Sequence, residues 1–234
     1  MRDFSGLTET LYTATEWIMR FSVINVLWFI LNIPIVFTIT SIFFGNSESS
    51  SLLYLWPLVV LLPALFFPST AAMFSTVREW IIKKDQASLT KTYFSHLKAT
   101  YKKSFLSGIV LMALWFIWIL DFTFFKNEND LIWTMFVVVG LILFVFTINF
   151  FSLSAHYQMN NKALLKNAFF VTVGNPLLSL FILISNLSLF YVSATELLFL
   201  WPLFAGTVSA FLSFLAFYRF SLKVEEKALK NKEG

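Results

Sequence analysis

Residues 131–157, with the sequence LIWTMFVVVGLILFVFTINFFSLSAHY, form a long apolar stretch that contains no Lys, Arg, Asp or Glu. A transmembrane helix needs about 20 predominantly apolar residues, because a rise of about 1.5 Å per residue must cross about 30 Å of hydrocarbon. Polar and apolar residues do not alternate within Val137–Leu143, whereas they do alternate along the strands of a transmembrane β-barrel. The stretch therefore predicts a membrane-spanning helix.

Similar charge-poor stretches recur along the chain and predict an all-α integral membrane bundle of six transmembrane helices. Of the 234 residues, 58% are hydrophobic and only 13% are charged, whereas soluble domains usually carry about 25% charged residues. The mean hydropathy of +0.76 agrees with a protein whose solvent is lipid. We expect a single membrane domain over residues 1–234. The predicted spans are 21–45, 52–77, 104–125, 131–157, 177–195 and 197–220.

The distribution of basic residues predicts the orientation of the bundle. If the N-terminus is cytoplasmic, all of the 17 Lys and Arg residues except Lys126 lie in cytoplasmic segments. Cytoplasmic loops of membrane proteins carry an excess of Lys and Arg. The sequence therefore predicts a bacterial plasma-membrane protein with both termini in the cytoplasm, and residues 221–234 as a cytoplasmic tail.

Amphipathic patterns predict interfacial helices on the cytoplasmic side. Residues 1–20 place apolar side chains at helical spacing and lead into the first span. In the basic inner loop, 78–103, Leu89 and Tyr93 share one face, and lysines occupy the opposite face. We expect this loop helix to lie among anionic lipid headgroups, and docking of a cytoplasmic partner is the alternative. The predicted inner basic surface comprises Lys91, Lys98, Lys102 and Lys103.

The sequence offers no residues for a metal, cofactor or catalytic site. Cysteine is absent, and His96 and His156 have no ligand partner at helical spacing. No glycine-rich phosphate loop or Gly-x-Ser-x-Gly motif occurs. Asp121 is the one carboxylate within a predicted span, and its position near the span end favours an interfacial or paired role over proton relay. We expect neither an enzyme nor a nucleic-acid-binding protein.

Three polar side chains share one face of the first span. Asn25, Trp28 and Asn32 lie at i, i+3 and i+7, which aligns two amides with an indole. An aromatic ring flanked by amides suits a sugar or another neutral polar solute. Amides that hydrogen-bond neighbouring helices are the alternative. The face is therefore a candidate either for solute binding or for helix contact.

Prolines predict a kink in the second span. Pro63 and Pro68 fall near mid-membrane, and Ser69 and Thr70 follow them. Proline removes a backbone donor, so freed carbonyls must find partners or line a cavity. Broken helices often mark transport sites, although kinks also serve packing alone.

Several short motifs together resemble a known family. They are Glu16-Trp17-Ile18-Met19-Arg20, Asn25, Leu27-Trp28, Pro34, Phe67-Pro68-Ser69-Thr70-Ala71-Ala72-Met73-Phe74, Val77-Arg78-Glu79-Trp80, Phe94, Lys98 and Lys103-Ser104-Phe105. Fainter similarity continues through Lys166 and Asn175-Pro176-Leu177. These motifs resemble the YesL family of multipass membrane proteins of Gram-positive bacteria. Ser69 and Met73 stand where smaller or aliphatic residues are expected in that family.

The resemblance implies an association with carbohydrate metabolism, because members are typically encoded beside genes for carbohydrate uptake and polysaccharide degradation. It assigns no catalytic or binding role to any residue. We therefore expect an accessory or regulatory component of carbohydrate uptake, with sugar-transporter or sensor subunits as partners. A small-solute permease or substrate-capturing transporter subunit is the alternative.

Overall fold

The computed structural model describes residues 2–44, 51–82, 88–126 and 130–233, and the described residues form helices and short connections without any strand. Two of the elements are short π-helical turns, in which the helix is locally widened. In chain order the elements are α1 (Arg2–Leu31), α2 (Ile33–Phe44), α3 (Ser51–Leu61), the turn π1 (Leu62–Phe66), α4 (Phe67–Ile81), α5 (Leu89–Phe125), α6 (Asp130–His156), α7 (Asn161–Gly174), α8 (Pro176–Thr195), the turn π2 (Trp201–Ala205) and α9 (Gly206–Glu233).

Six helical stretches are long and apolar enough to cross a membrane, which confirms the predicted fold class. The third and fourth spans run antiparallel: Trp118 contacts Phe136, and Asn161 contacts Lys103 at the other end of the same pair. The first and last spans are also antiparallel, because Asn25 contacts Trp201 and Trp17 contacts Phe211, so both termini lie at one end of the bundle. The six spans are Thr8–Leu31, Trp56–Ile81, Leu89–Phe125, Asp130–His156, Pro176–Thr195 and Trp201–Lys230.

The first span differs from its predicted bounds of 21–45. The helix that begins at Arg2 ends at Leu31, and a separate short helix, α2, starts after Asn32. Pro34 explains this break, because it cannot donate a backbone hydrogen bond to the preceding turn. Residues 45–50, at the end of the predicted span and beyond it, lie outside the described residues.

The basic inner loop does not form the separate interfacial helix that its pattern predicted. Residues 89–103 are the first part of α5, which continues without interruption to Phe125. Their apolar face packs on the protein: Tyr93 is fully buried and its hydroxyl donates to the backbone oxygen of Ser69, 3.1 Å away. Tyr93 thus contacts the protein, whereas Tyr101, farther along α5, remains 43% exposed. Residues 83–87 of the loop lie outside the described residues.

The N-terminal amphipathic segment is likewise continuous with the first span in α1. Trp17 and Phe21 turn toward the bundle, where their rings contact Trp80 and Phe211. Ile18, on the predicted apolar face, stays exposed. The side chains of residues 2–7, which begin that face, lie outside the described residues.

Helix α4 forms the centre of the bundle. Every residue from Phe67 to Val77 is buried, whereas only five residues of the much longer helix α5 are buried. Small residues permit this close packing: Ala72 of α4 and Ala210 of α9 have no exposed surface. The centre of the fold thus lies where the second span meets α1, α5, α6 and α9.

Helix α7 begins at Asn161, and its N-cap is Asn160. The Asn160 side chain accepts a hydrogen bond from the backbone N–H of Ala163 at 2.8 Å. The amide of Asn161 donates instead to the backbone oxygen of Lys103, 3.2 Å away on α5. The connection between the fourth and fifth spans is therefore attached to the third span.

Candidate functional site

Asn25 links the first span to both ends of the turn π2. Its amide nitrogen donates to the backbone oxygen of Trp201 at 2.8 Å, and its Oδ1 accepts from the backbone N–H of Thr207 at 2.9 Å. The side chain has no exposed surface. At Gly206, a Cβ atom would lie only 3.0 Å from the Oδ1 atom of Asn25, so glycine permits this close approach. Asn25 therefore stabilises an interrupted helix with both of its polar atoms.

Trp28 and Asn32 link the first span to the second. The indole nitrogen of Trp28 donates to Thr70 Oγ1 at 3.0 Å. The Asn32 amide donates to Ser69 Oγ at 3.0 Å and to the backbone oxygen of Trp28 at 2.7 Å. We call the linked side chains the polar seam, and they are Asn25, Trp28, Asn32, Ser69, Thr70 and Thr207.

The polar seam contains one unsatisfied acceptor. Asn32 Oδ1 is buried and has no hydrogen-bond partner among the described residues. Asn32 does not line the large interior cavity described below, so this oxygen does not face that space.

Two further amides connect other pairs of helices. Asn149 of α6 donates to Thr172 Oγ1 of α7 at 3.0 Å. Asn186 of α8 donates to Ser213 Oγ at 3.0 Å and accepts from the hydroxyl of Ser209, both on α9. The fully buried amides thus join helices that are neighbours in the bundle.

A cavity of about 470 Å³ lies beside the polar seam. No charged side chain lines it. It extends from Met73 near the middle of the bundle toward Trp201, at the end opposite the termini. Its aromatic lining residues are Trp28, Phe66, Phe67, Phe74, Trp115, Phe144, Phe151, Phe190 and Trp201.

Most polar side chains in the cavity wall already have partners. Thr70 accepts from Trp28, and Thr147 accepts from the indole nitrogen of Trp115 at 3.1 Å. Thr147 also donates to the backbone oxygen of Leu143, and Ser209 donates to Asn186. The wall therefore offers a ligand mainly ring faces and aliphatic groups.

The predicted kink of the second span coincides with the turn π1. Pro63 lies inside it, and Pro68 follows as the second residue of α4. Ser69 donates to the backbone oxygen of Phe66 at 3.1 Å, and Thr70 lines the cavity. The missing N–H of proline explains a locally widened helix, and such π-helical turns are frequent at functional sites.

The turn π2 was not predicted, although a signal for it was present. Pro202 is its second residue, as Pro63 is the second residue of π1. The sequence repeats Trp-Pro-Leu at 56–58 and 201–203. The first copy lies within α3, so the motif alone does not determine the turn.

The inner basic surface is only partly exposed. Lys91, Lys98 and Lys102 are exposed on α5, whereas Lys103 is half-buried. None of the four forms an ion pair with another described residue. Their charges are therefore available at the end of the bundle that carries both termini.

The other described titratable side chains do not come together in one site. Asp121 is half-buried near the opposite end of α5 and has no ion-pair partner in the described part of the chain. The His96 ring lies 3.1 Å from the Glu79 carboxylate, where α5 meets α4. Among the described residues, no three histidine or carboxylate side chains are grouped as a metal site would require.

Comparisons with known proteins agree with the resemblance noted in the sequence. Residues 21–122 match the family described as "Protein of unknown function, DUF624", and this region includes the polar seam except Thr207. No solved structure matches the chain significantly.

Three proteins of Bacillus subtilis (strain 168) are similar to the chain. "Uncharacterized protein YteU" is 25% identical over 90% of the chain and 85% of its own length. "Uncharacterized protein YesL" is 22% identical over 90% of the chain and 91% of its own length. "Uncharacterized protein YesV" is 29% identical over 53% of the chain and 62% of its own length. The chain is therefore similar to uncharacterised proteins over most of its length, and residues 21–122 carry the match to the DUF624 family.

Proposed function

We propose that the protein is an accessory or regulatory component of carbohydrate uptake in the bacterial plasma membrane. It acts through contacts with transporter or sensor subunits and does not conduct the solute itself. The contacts involve the inner basic surface and the exposed apolar faces of its spans.

The apolar interior is the observation that supports this role over transport. A sugar that enters an apolar space without hydrogen-bond partners loses its hydration at a cost of about 1–3 kcal/mol for each polar group. The amides at Asn25, Asn149 and Asn186 bond other helices, and the cavity presents ring faces and aliphatic groups. A hydrophilic solute would therefore gain little from this wall.

The inner basic surface supports a contact with other subunits. Lys91, Lys98 and Lys102 are exposed on a helix whose opposite face is fixed to α4 by Tyr93. A rigid helix presents these charges at fixed spacing, which favours an acidic surface on a partner. The family resemblance supports carbohydrate uptake as the setting of that contact.

Affinity purification in mild detergent tests the proposal. We expect near-stoichiometric transporter or sensor subunits to remain attached after growth on a complex polysaccharide. A combined Lys91→Gln, Lys98→Gln and Lys102→Gln variant should lose them. Lys223→Gln with Lys227→Gln, which changes exposed charges on α9 instead, should retain them. Wild-type protein that purifies without such subunits would contradict the proposal.

A small-solute permease, or a substrate-capturing transporter subunit, is the second candidate. Its support is the position of two π-helical turns beside one cavity, which π1 lines through Leu62 and Phe66 and π2 through Trp201. Such turns are frequent at functional sites. Uptake by the purified wild-type protein in liposomes distinguishes the two functions: a permease would take up the solute alone, whereas an accessory protein would not.

The orientation with both termini in the cytoplasm is part of the proposal. A C-terminal green fluorescent protein fusion should fluoresce, and a C-terminal alkaline phosphatase fusion should be inactive, because each reporter works on one side of the membrane. The reverse pair of results would contradict this orientation and would place the inner basic surface outside the cell.

A further inference from the structure

We propose that the interior cavity binds one acyl chain of a membrane lipid, which enters from the bilayer between Ile119 and Trp201. The cavity volume of about 470 Å³ lies within the range of about 300–1,000 Å³ that is typical of small-molecule pockets. The site is independent of the proposed role in carbohydrate uptake.

The chemistry of the wall selects an apolar ligand. Trp28, Phe66, Trp115 and Phe190 contribute rings, and Met73 and Met112 contribute flexible thioether side chains. Methionine adapts to irregular apolar shapes, and aromatic rings provide large flat contact areas. A hydrocarbon chain makes such contacts along its whole length.

The hydrogen bonds of the wall disfavour polar occupants. Of the three tryptophans in the wall, Trp28 and Trp115 direct their indole nitrogens to Thr70 and Thr147, so neither of these N–H groups is available to a ligand. Water in a protein interior typically makes about three hydrogen bonds to polar groups, and purely apolar cavities stay dry. The cavity thus suits neither ordered water nor a sugar.

The exposed part of the cavity lining is apolar. Ile119 is 48% exposed and Trp201 is 39% exposed, and they are the two exposed residues of the lining. Both belong to membrane-spanning stretches, and exposed Phe116 and Phe199 lie three and two residues before them in the chain. A lipid chain can therefore reach the cavity without leaving an apolar environment.

Van der Waals contact provides the gain in free energy. Lipid tails already lie in an apolar solvent, so burial from water does not drive binding within the bilayer. The walls of an empty cavity lack partner atoms, and a chain that fills the space restores those contacts. Occupancy by an acyl chain is therefore favoured over an empty space.

Photolabelling with a lipid tests the site. The full chain is reconstituted in vesicles of phosphatidylglycerol and phosphatidylcholine that contain a trace of phosphatidylcholine with a diazirine at the end of one acyl chain. After irradiation, labelled residues are located by mass spectrometry of peptides. Met73 and Phe74 are 2% and 3% exposed, whereas Leu106 is 48% exposed. Bulk lipid therefore reaches Leu106 but not Met73 or Phe74. We expect label on all three.

Matched variants of α5 separate cavity binding from contact with bulk lipid. Met112→Trp places a larger side chain in the wall, and we expect label on Met73 and Phe74 to be lost while label on Leu106 remains. Leu106→Trp changes an exposed position of the same helix and should leave label on Met73 and Phe74 unchanged. If Met112→Trp fails to fold, the distribution of label in the wild-type protein still shows whether an acyl chain enters the cavity.

Two results would overturn the proposal. Label confined to exposed residues in the wild-type protein would show that no acyl chain enters. Loss of label from Met73 and Phe74 on addition of one polyisoprenyl phosphate per protein, with acyl lipid still in excess, would assign the cavity to an isoprenoid instead.

Discussion

The polar seam and the cavity share the Trp28 side chain but have opposite chemistry. On the seam, the indole nitrogen donates to Thr70, and neighbouring amides bond other helices. On the cavity side, the same residue contributes an apolar wall. The difference shows that polar residues within a membrane bundle need not mark the ligand site, because buried polar groups are the ones that must find partners.

Asn25→Ala should produce the largest effect, because it removes one side chain that satisfies two buried backbone groups. The Trp201 oxygen and the Thr207 N–H would lose their partner, at a cost of about 1–3 kcal/mol each. Unfolding by titration with sodium dodecyl sulfate measures the loss.

Asn161→Ala is the matched control for that prediction. Its amide makes one bond to the backbone oxygen of Lys103 from a half-buried position, so the loss should stay near 1 kcal/mol. Equal stability of the Asn25→Ala and Asn161→Ala proteins would contradict a structural role for the polar seam.

Gly108→Ala should have the next largest effect and tests the packing on the cavity side. A Cβ atom at this position would lie 2.8 Å from two ring atoms and 2.9 Å from the Cβ atom of Phe67, which lines the cavity. Such overpacking costs about 1–3 kcal/mol. The same unfolding titration measures it.

Gly174→Ala provides the control, because an added Cβ meets no atom within 4 Å there. Its stability should differ from that of the wild-type protein by no more than about 0.5 kcal/mol. A Gly108→Ala protein that is as stable as the Gly174→Ala protein would show that the helices do not approach closely at Phe67.

Trp28→Phe should have the smallest effect and separates the two functions of one residue. It removes the hydrogen bond to Thr70 and retains a ring on the cavity wall. Single side-chain hydrogen bonds in membrane proteins contribute about 0.6 kcal/mol on average and at most about 1.7 kcal/mol. The free energy of unfolding should therefore fall by about 0.6 kcal/mol, and by at most about 1.7 kcal/mol.

Photolabelling of the buried cavity wall should persist in the Trp28→Phe protein. Label lost from Met73 at unchanged stability would show the opposite, that the indole nitrogen matters for the ligand and not for the fold. The two measurements together therefore assign the N–H and the ring of Trp28 to separate regions.

The six spans were predictable because lipid imposes a simple length requirement on apolar stretches. Pro63, which predicted a kink in the second span, lies in the widened turn π1, and its missing N–H is an equally local cause of that turn. The continuity of α5 was not predictable, because the amphipathic pattern at Leu89 and Tyr93 is the same whether the apolar face meets lipid or protein. Only the hydrogen bond from Tyr93 to Ser69, seen in the structure, shows that this side chain meets protein.

The candidate site was predictable in its residues but not in its chemistry. Spacing placed Asn25, Trp28 and Asn32 on one face, and two interpretations remained open. The partners that favour helix contact, Trp201 and Thr207, lie more than 170 residues away in the chain. The cavity itself arises where several spans meet, so no local pattern could reveal it.

Accessibility of a single cysteine to a charged thiol reagent tests the central claim most directly, because the chain contains no native cysteine. Thr70→Cys places the thiol in the cavity wall, and Thr195→Cys places one at the exposed end of α8 as a positive control. An apolar interior predicts that a membrane-impermeant methanethiosulfonate modifies Thr195→Cys and not Thr70→Cys. Rapid modification of Thr70→Cys that a sugar slows would contradict the account and establish a path for hydrophilic solutes.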